Sequence, residues 1–338
     1  MEKKIYRLTK ILDPLIQKNP NIYWKIFAKC LLHYEKILHK RGLPLQKYHS
    51  LIKQYVQLIA NQISKPYKFF SHHRAIRHPI DHYELGKQLF YPLIDFSHSV
   101  VKGKEYLHIM EEILRAKENV IIFANHQTEA DGFILHLLLD KEFSYLSKHI
   151  TFIAGDRVLT DALAVPISLG LNLFSVYSKK YFHIYPQQKS KMIAHNKRTI
   201  FCISRHLKKG QQCIVIFPSG GRDRYNSQNR TLEIAPFDAK SIDLLYLLGK
   251  KSKLKTHFFP LALFTHNLLP PPESLQVQIG ESRYVNESPV FLHFGERICM
   301  ENFSLEKDND NHAGGENDDR SRYIWHCVQQ LYKQIALF

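Results

Sequence analysis

The chain of 338 residues carries 47 Lys and Arg against 31 Asp and Glu, a formal charge of +16, with 20 His besides. Hydrophobic residues at 44% and aromatics at 12% are enough to bury a core, which excludes a disordered basic tail, and the length suits one large domain or two smaller ones. Five Cys without paired spacing exclude a disulfide framework and point to a reducing compartment, while the positive excess calls for an anionic partner: nucleic acid, a phosphorylated substrate, an acidic protein or a membrane surface.

Three amphipathic patterns open the chain. Ile5, Leu8, Ile11, Leu12, Leu15 and Ile16 recur at helical spacing, then Trp24, Phe27, Leu31, Tyr34 and Leu38, then Leu51, Tyr55, Leu58, Ile59 and Ile63. Asn19-Pro20-Asn21 and Gly42-Leu43-Pro44 separate them, and Ser64-Lys65-Pro66 ends the set. This predicts an N-terminal helical bundle over 1–75, followed by an α/β domain over 76–338.

In that second part, helical patterns over 81–98 and 104–117 lead into the continuous apolar run 119–124. Further apolar runs follow at 150–154, 173–176, 213–217 and 258–264, with helical stretches at 131–140, 188–208 and 239–248 between them. Alternation of this kind predicts an α/β fold with a mixed, largely buried sheet flanked by helices. Residues 307–320 are polar and acidic and read as a loop before a last helix over 323–336; their spacing does not meet the calcium-loop pattern.

The longest apolar stretch, Leu163 to Tyr177, is broken by Pro166, Ser168, Gly170 and Asn172, short of the roughly 20 apolar residues of a membrane span. Met1 to Arg7 has charge but no following apolar region, so no signal peptide is expected. A soluble, cytoplasmic protein is the expectation.

Chemistry concentrates in Asn125-His126-Gln127-Thr128-Glu129-Ala130-Asp131, which follows a predicted strand and opens a predicted helix. The turn can fold back so that Asp131 accepts from one imidazole nitrogen of His126, leaving the other free as a general base, while the same carboxylate is placed to cap the helix start. No nucleophile elbow accompanies the pair, so the attacking hydroxyl should come from a substrate. Phe217-Pro218-Ser219-Gly220-Gly221-Arg222-Asp223-Arg224 follows another strand; its glycines let backbone amides approach an anion, and its arginines offer forks suited to phosphate. Lys179 and Lys180 end a third strand, and Phe259-Pro260-Leu261-Ala262 with Leu269-Pro270-Pro271-Pro272 frames a fourth. His72-His73 and His293 read as core or surface histidines, since none shows zinc-like spacing with Cys.

These four ordered blocks resemble the glycerolipid acyltransferases. NHQTEAD, AGDRVLTD (154–161), NLFSVYSKK (172–180), PSGGRDR and APFD (235–238) narrow the resemblance to the soluble, plastid-type glycerol-3-phosphate acyltransferases and their bacterial relatives, over roughly residues 80–300. The resemblance implies transfer of a fatty acyl group from acyl carrier protein or coenzyme A to the sn-1 hydroxyl of glycerol 3-phosphate, with no cofactor and no metal. It implies His126 as base, Asp131 as its orienting partner, and Lys180, Arg222 and Arg224 as the phosphate site. Plastid-type members carry a histidine after the second lysine where this chain has Tyr181, which leaves Tyr181 or His183 to take its place. Lysophosphatidate acylation is the sibling reading. Nucleic-acid binding has only the net charge in its favour, without a recognition-helix, zinc-finger or RNP signature. Peripheral membrane contact through the Lys-rich N-terminal helices is compatible with the enzyme.

Overall fold

A computed structural model of the chain describes residues 7–18, 21–178, 182, 184, 186–226, 231–271, 283–301 and 316–336. The N-terminal helices are α1 (Asp13–Lys18), α2 (Ile22–Lys40) and α3 (Leu45–Ser64). Asn21 starts α2 by accepting the N–H of Tyr23 at 3.0 Å. One face of α2 and one of α3 are buried, through Trp24, Phe27, Leu31 and Leu38 on the first and Ile52, Tyr55 and Ile59 on the second. Their core is continuous with that of the following region, including Phe133, Ile134 and Leu163.

The rest of the chain runs β1 (His72–His73), α4 (His82–Phe90), β2 (Val100–Lys102), α5 (Lys104–Arg115), β3 (Asn119–Ala124), α6 (Asp131–Leu139), α7 (Ser144–His149), β4 (Ile150–Ala154), α8 (Asp156–Thr160), α9 (Val165–Ser168) and β5 (Leu173–Ser175). Then come α10 (Lys189–Lys209), β6 (Cys213–Ile216), β7 (Arg224–Tyr225), β8 (Leu232–Glu233), α11 (Ala239–Lys250), β9 (Thr256–Phe264), β10 (Phe291–Phe294) and α12 (Glu316–Lys333). Eight strands form one sheet in the order β1-β5-β4-β6-β3-β9-β10-β2; β7 and β8 form a separate ribbon. The strands from β5 to β9 in that order are parallel, whereas β1 and β10 are antiparallel to their neighbours β5 and β9. The predicted mixed, buried sheet between helices is the observed architecture.

Burial explains the apolar runs. Every residue of β3 is buried, and successive side chains serve opposite faces: Val120, Ile122 and Ala124 pack with residues of α5 and α7, Ile121 and Phe123 with residues of α10, α11 and α12. Each fully buried Ile or Phe contributes about 1.5–3 kcal/mol of transfer free energy.

Some expectations are corrected. The helical pattern over 81–98 yields α4 and a short 3-10 turn over 91–93, because Pro92 and the extended backbone at Ile94 end it. The last helix begins at Glu316, so residues 316–320 of the expected loop are helical; Arg320 is buried there, donating to Met300 O at 3.0 Å and paired with Asp243. The remainder of that stretch lies outside the described residues. Strands β2 and β10, of three and four residues, were not expected. Among the described residues no helix is long and apolar enough to cross a membrane.

Candidate active site

The parallel strands end on a common edge, and β3, in the middle, delivers the loop 125–130 there. His126 Nδ1 lies 2.9 Å from Asp131 Oδ2. The carboxylate is 1% exposed and the imidazole 23%. Oδ2 also accepts the N–H groups of Gln127 and Thr128, at 2.8 and 3.1 Å; Oδ1 accepts the hydroxyls of Thr128 and Thr265, at 2.9 and 2.6 Å. Asp131 therefore does not cap α6. It is the first residue of that helix, its side chain points back toward the N-terminus, and the N–H groups it meets belong to the preceding loop. Burial opposes ionisation of Asp131, but the hydrogen bond and charge of His126, with the Thr265 hydroxyl and the Gln127 N–H, outweigh it and hold the carboxyl below its usual range. With Nδ1–H given to Asp131, Nε2 carries the lone pair. The imidazole stacks on Phe217, centroids 4.5 Å apart and planes 19° apart.

The loop is anchored to both neighbouring strands. Asn125 exchanges two hydrogen bonds with the backbone of Leu263, at 2.7 and 3.0 Å. Gln127 Oε1 accepts the N–H groups of Thr265 and His266, at 2.7 and 3.0 Å. On the β6 side, the N–H of Asp223 donates to His126 O at 2.6 Å. Asp223 is fully buried between Asn125 Nδ2, at 2.7 Å, and Ala235 N, at 3.0 Å. Burial pushes its carboxyl up to about 6 against these two donors. Arg222 and Arg224 thus flank a residue bonded to His126 itself. Gly220 makes the turn that allows this, with φ of +62° and its N–H on Phe217 O at 3.1 Å; that amide is turned into the loop rather than toward an anion.

Arg222 is 10% exposed and lies 3.7 Å from Glu129 Oε1. Arg283 donates to both oxygens of Glu129, at 2.9 and 3.2 Å, and to Asp161 Oδ2 at 2.9 Å. Burial opposes the charge on Arg283, but the two carboxylates outweigh it and keep the guanidinium protonated. Two carboxylates and two guanidiniums, Asp161, Arg283, Glu129 and Arg222, are linked in one network. Arg224 lies in the β7–β8 ribbon, in register with Glu233.

Of the residues singled out from the sequence, His126 and Asp131 are in contact, and Arg222 and Arg224 flank Asp223, whose N–H meets His126 O; Lys180, Tyr181 and His183 lie outside the described residues. Asn125, Gln127 and Glu129 lie within the first block but carried no separate signal of their own. Nothing local marks Arg283, which is 154 residues from Glu129. His266 is buried beside Tyr225, its Nδ1 without a partner among the described residues. His73 and His293 are held by main-chain carbonyls of Leu169 and Leu331. Among the described residues no group of three or more His, Cys, Asp or Glu could hold a metal ion.

A paired His and Asp on the edge of a parallel sheet, with an arginine-bearing loop bonded to the histidine, suits activation of a hydroxyl brought by a substrate. Residues 101–263, which contain both blocks, match the Acyltransferase family. The chain is 40% identical over 247 residues to the chloroplastic glycerol-3-phosphate acyltransferase ATS12 of Cucurbita moschata, covering 73% of this chain and 54% of that one. With the ATS11 form of the same plant the identity is 36% over 305 residues, 90% of this chain and 68% of the relative. With the chloroplastic enzyme of Arabidopsis thaliana it is 33% over 271 residues, 80% and 58%. The chain belongs to the glycerol-3-phosphate acyltransferase family. It spans about half to two thirds of the length of these relatives.

Proposed function

We propose that the chain transfers a fatty acyl group from a thioester, carried by acyl carrier protein or coenzyme A, to the sn-1 hydroxyl of glycerol 3-phosphate, giving lysophosphatidate. The observation that carries the reading is the His126–Asp131 pair, 2.9 Å apart, bonded through its backbone to the loop that holds Arg222 and Arg224. Nε2 of His126 takes the hydroxyl proton as the oxygen attacks the thioester carbonyl. The tetrahedral oxyanion collapses, the C–S bond breaks, and the leaving thiolate takes the proton back from the imidazolium. Asp131 holds the tautomer and stabilises the imidazolium.

Arg222 and Arg224, together with Lys180 and with Tyr181 or His183, bind the acceptor's phosphate. Guanidinium forks match two phosphate oxygens at once, which favours glycerol 3-phosphate over glycerol and converts a bimolecular attack into a positioned one. The place of action in this reading is the cytoplasm; five free cysteines support a reducing compartment.

The test is acyl transfer by the purified chain, with palmitoyl-acyl carrier protein and palmitoyl-CoA side by side, to glycerol 3-phosphate and to lysophosphatidate. Transfer to the first acceptor supports the reading. Transfer to lysophosphatidate alone, or to neither, overturns it.

A further inference from the structure

The stretches 36–80 and 162–222 contain no Asp or Glu, and together hold nineteen of the 47 Lys and Arg. The rest of the chain, with 28 cations against 31 carboxylates, is close to neutral, so the net charge of +16 originates in these two stretches. The fold sets them side by side. Strand β1 of the first pairs with β5 of the second, His72 opposite Phe174. Ser175 Oγ donates to Phe70 O at 2.7 Å, and the rings of His72 and His206 lie 4.3 Å apart between centroids.

Helix α10 covers this edge of the sheet. It carries seven Lys and Arg in 21 residues and no carboxylate. Its apolar face, with Met192, Ile203 and Leu207, is buried. Outward, Arg198, Phe201, Arg205 and Lys208 recur at three or four residues, with Lys191 and Lys197 before them, all exposed. Lys65, Lys68 and Arg74 extend the exposed cationic surface on the neighbouring β1 edge. Within it, Phe70 is 75% exposed and Phe201 68%.

We infer that α10 and the β1 edge form the docking face for the acidic carrier protein that brings the acyl thioester. The inference rests on the donor proposed above. Asn196 of α10 exchanges two hydrogen bonds of 2.8 Å with the backbone of Tyr177, just past the end of β5, so this part of the helix lies on the sheet edge that holds His126. Strand β5 is separated from β3 by β4 and β6, about 14 Å at 4.8 Å per strand, a span that a carrier's flexible pantetheine arm can cross. Cations along a helix about 31 Å long complement the carboxylates of an acidic protein and steer its approach, and Phe201 supplies an aromatic anchor amid them. The nucleotide of coenzyme A would occupy only a small part of that length. An anionic bilayer would find only the two rings of Phe70 and Phe201 to insert, because the apolar face of α10 is packed inside the fold.

The test reverses the outward charge, in Lys197→Glu/Arg198→Glu and in the fourfold variant that adds Arg205→Glu and Lys208→Glu. With palmitoyl-acyl carrier protein, KM is expected to rise at least fivefold in the double and tenfold in the fourfold variant, with kcat unchanged. With palmitoyl-CoA, KM should stay within twofold. Circular dichroism and Tm establish that each variant is folded, and the double variant serves where the fourfold one is not. An unchanged KM for the carrier-borne donor overturns the inference, and so does an equal rise for both donors. Loss of binding to phosphatidylglycerol vesicles without a change in carrier KM assigns the face to a membrane and also overturns it. If the native chain uses neither donor, the proposed function fails by itself. The face is then judged by fluorescence anisotropy of labelled carrier protein, where equal or absent binding by native and reversed chains overturns it.

Discussion

Asp131 Oδ2 receives the Nδ1–H of His126 at 2.9 Å while the same carboxylate accepts two backbone N–H groups and two threonine hydroxyls. Five donors around one buried carboxylate keep it ionised and fix the imidazole with its lone pair on Nε2. In Asp131→Asn the amide presents its own N–H groups and favours the wrong tautomer. The expected outcome is a fall in kcat of about 10³–10⁴-fold with a nearly unchanged KM for glycerol 3-phosphate. Steady-state kinetics check it, and a kcat near native would remove the pair from the chemistry.

His126→Ala should abolish transfer. Only part of the ring is exposed, and the anchoring of its loop runs through Asn125, Gln127 and the His126 main chain. The fold and the binding of glycerol 3-phosphate should therefore survive. Tm and calorimetric titration with glycerol 3-phosphate read the two; near-normal turnover would sink the proposed role of the base.

Arg222→Ala is expected to raise KM for glycerol 3-phosphate tenfold or more, with a smaller change in kcat, since a charge-assisted fork is lost from acceptor binding. Kinetics at varied acceptor concentration decide it. A KM that does not move would take Arg222 out of the phosphate site.

Arg283→Ala leaves the buried Asp161 and the part-buried Glu129 without their shared cation. Breaking such a network costs about 3–5 kcal/mol, more than an exposed ion pair of the same geometry contributes. Urea unfolding should show that loss as a lower midpoint; a shift equivalent to less than about 1 kcal/mol would mean that the carboxylates find other partners.

Asp223 gives a pH dependence of definite sign. Its folded value of about 6 lies above the ordinary 3.8, so between these values the folded chain binds more protons than the unfolded one. Its contribution to stability therefore falls as pH rises through that window, and is least above pH 6. Relative to Asp223→Asn, which does not titrate, the native chain should lose about 1.4 kcal/mol between pH 5 and pH 7. Denaturant midpoints of both chains at the two pH values measure it, and parallel curves would show that the carboxyl titrates normally.

The elements legible in the sequence are those whose cause is local. Residues 119–124 are uniformly apolar because β3 is buried on both faces, and α3 shows its helical stripe because only one face is covered. Strands β2 and β10 are too short for any periodicity to stand out, and they exist because each finds a partner, β10 lying between β9 and β2. The His126–Asp131 pair was readable because six consecutive residues contain both groups. Its reversed cap was not, since which N–H groups meet Asp131 depends on how the loop is held.

Sequence alone determined the strand-and-helix alternation, the blocks and the sign of the charge. Tertiary structure decided what surrounds them. Thr265 reaches Asp131 across 134 residues because β9 lies beside β3, and Arg283 reaches Glu129 across 154; hydrogen bonds of such separation leave no repeat in the chain. The charge follows the same division: its sum is a property of composition, but its gathering on α10 and the β1 edge follows from β1 pairing with β5.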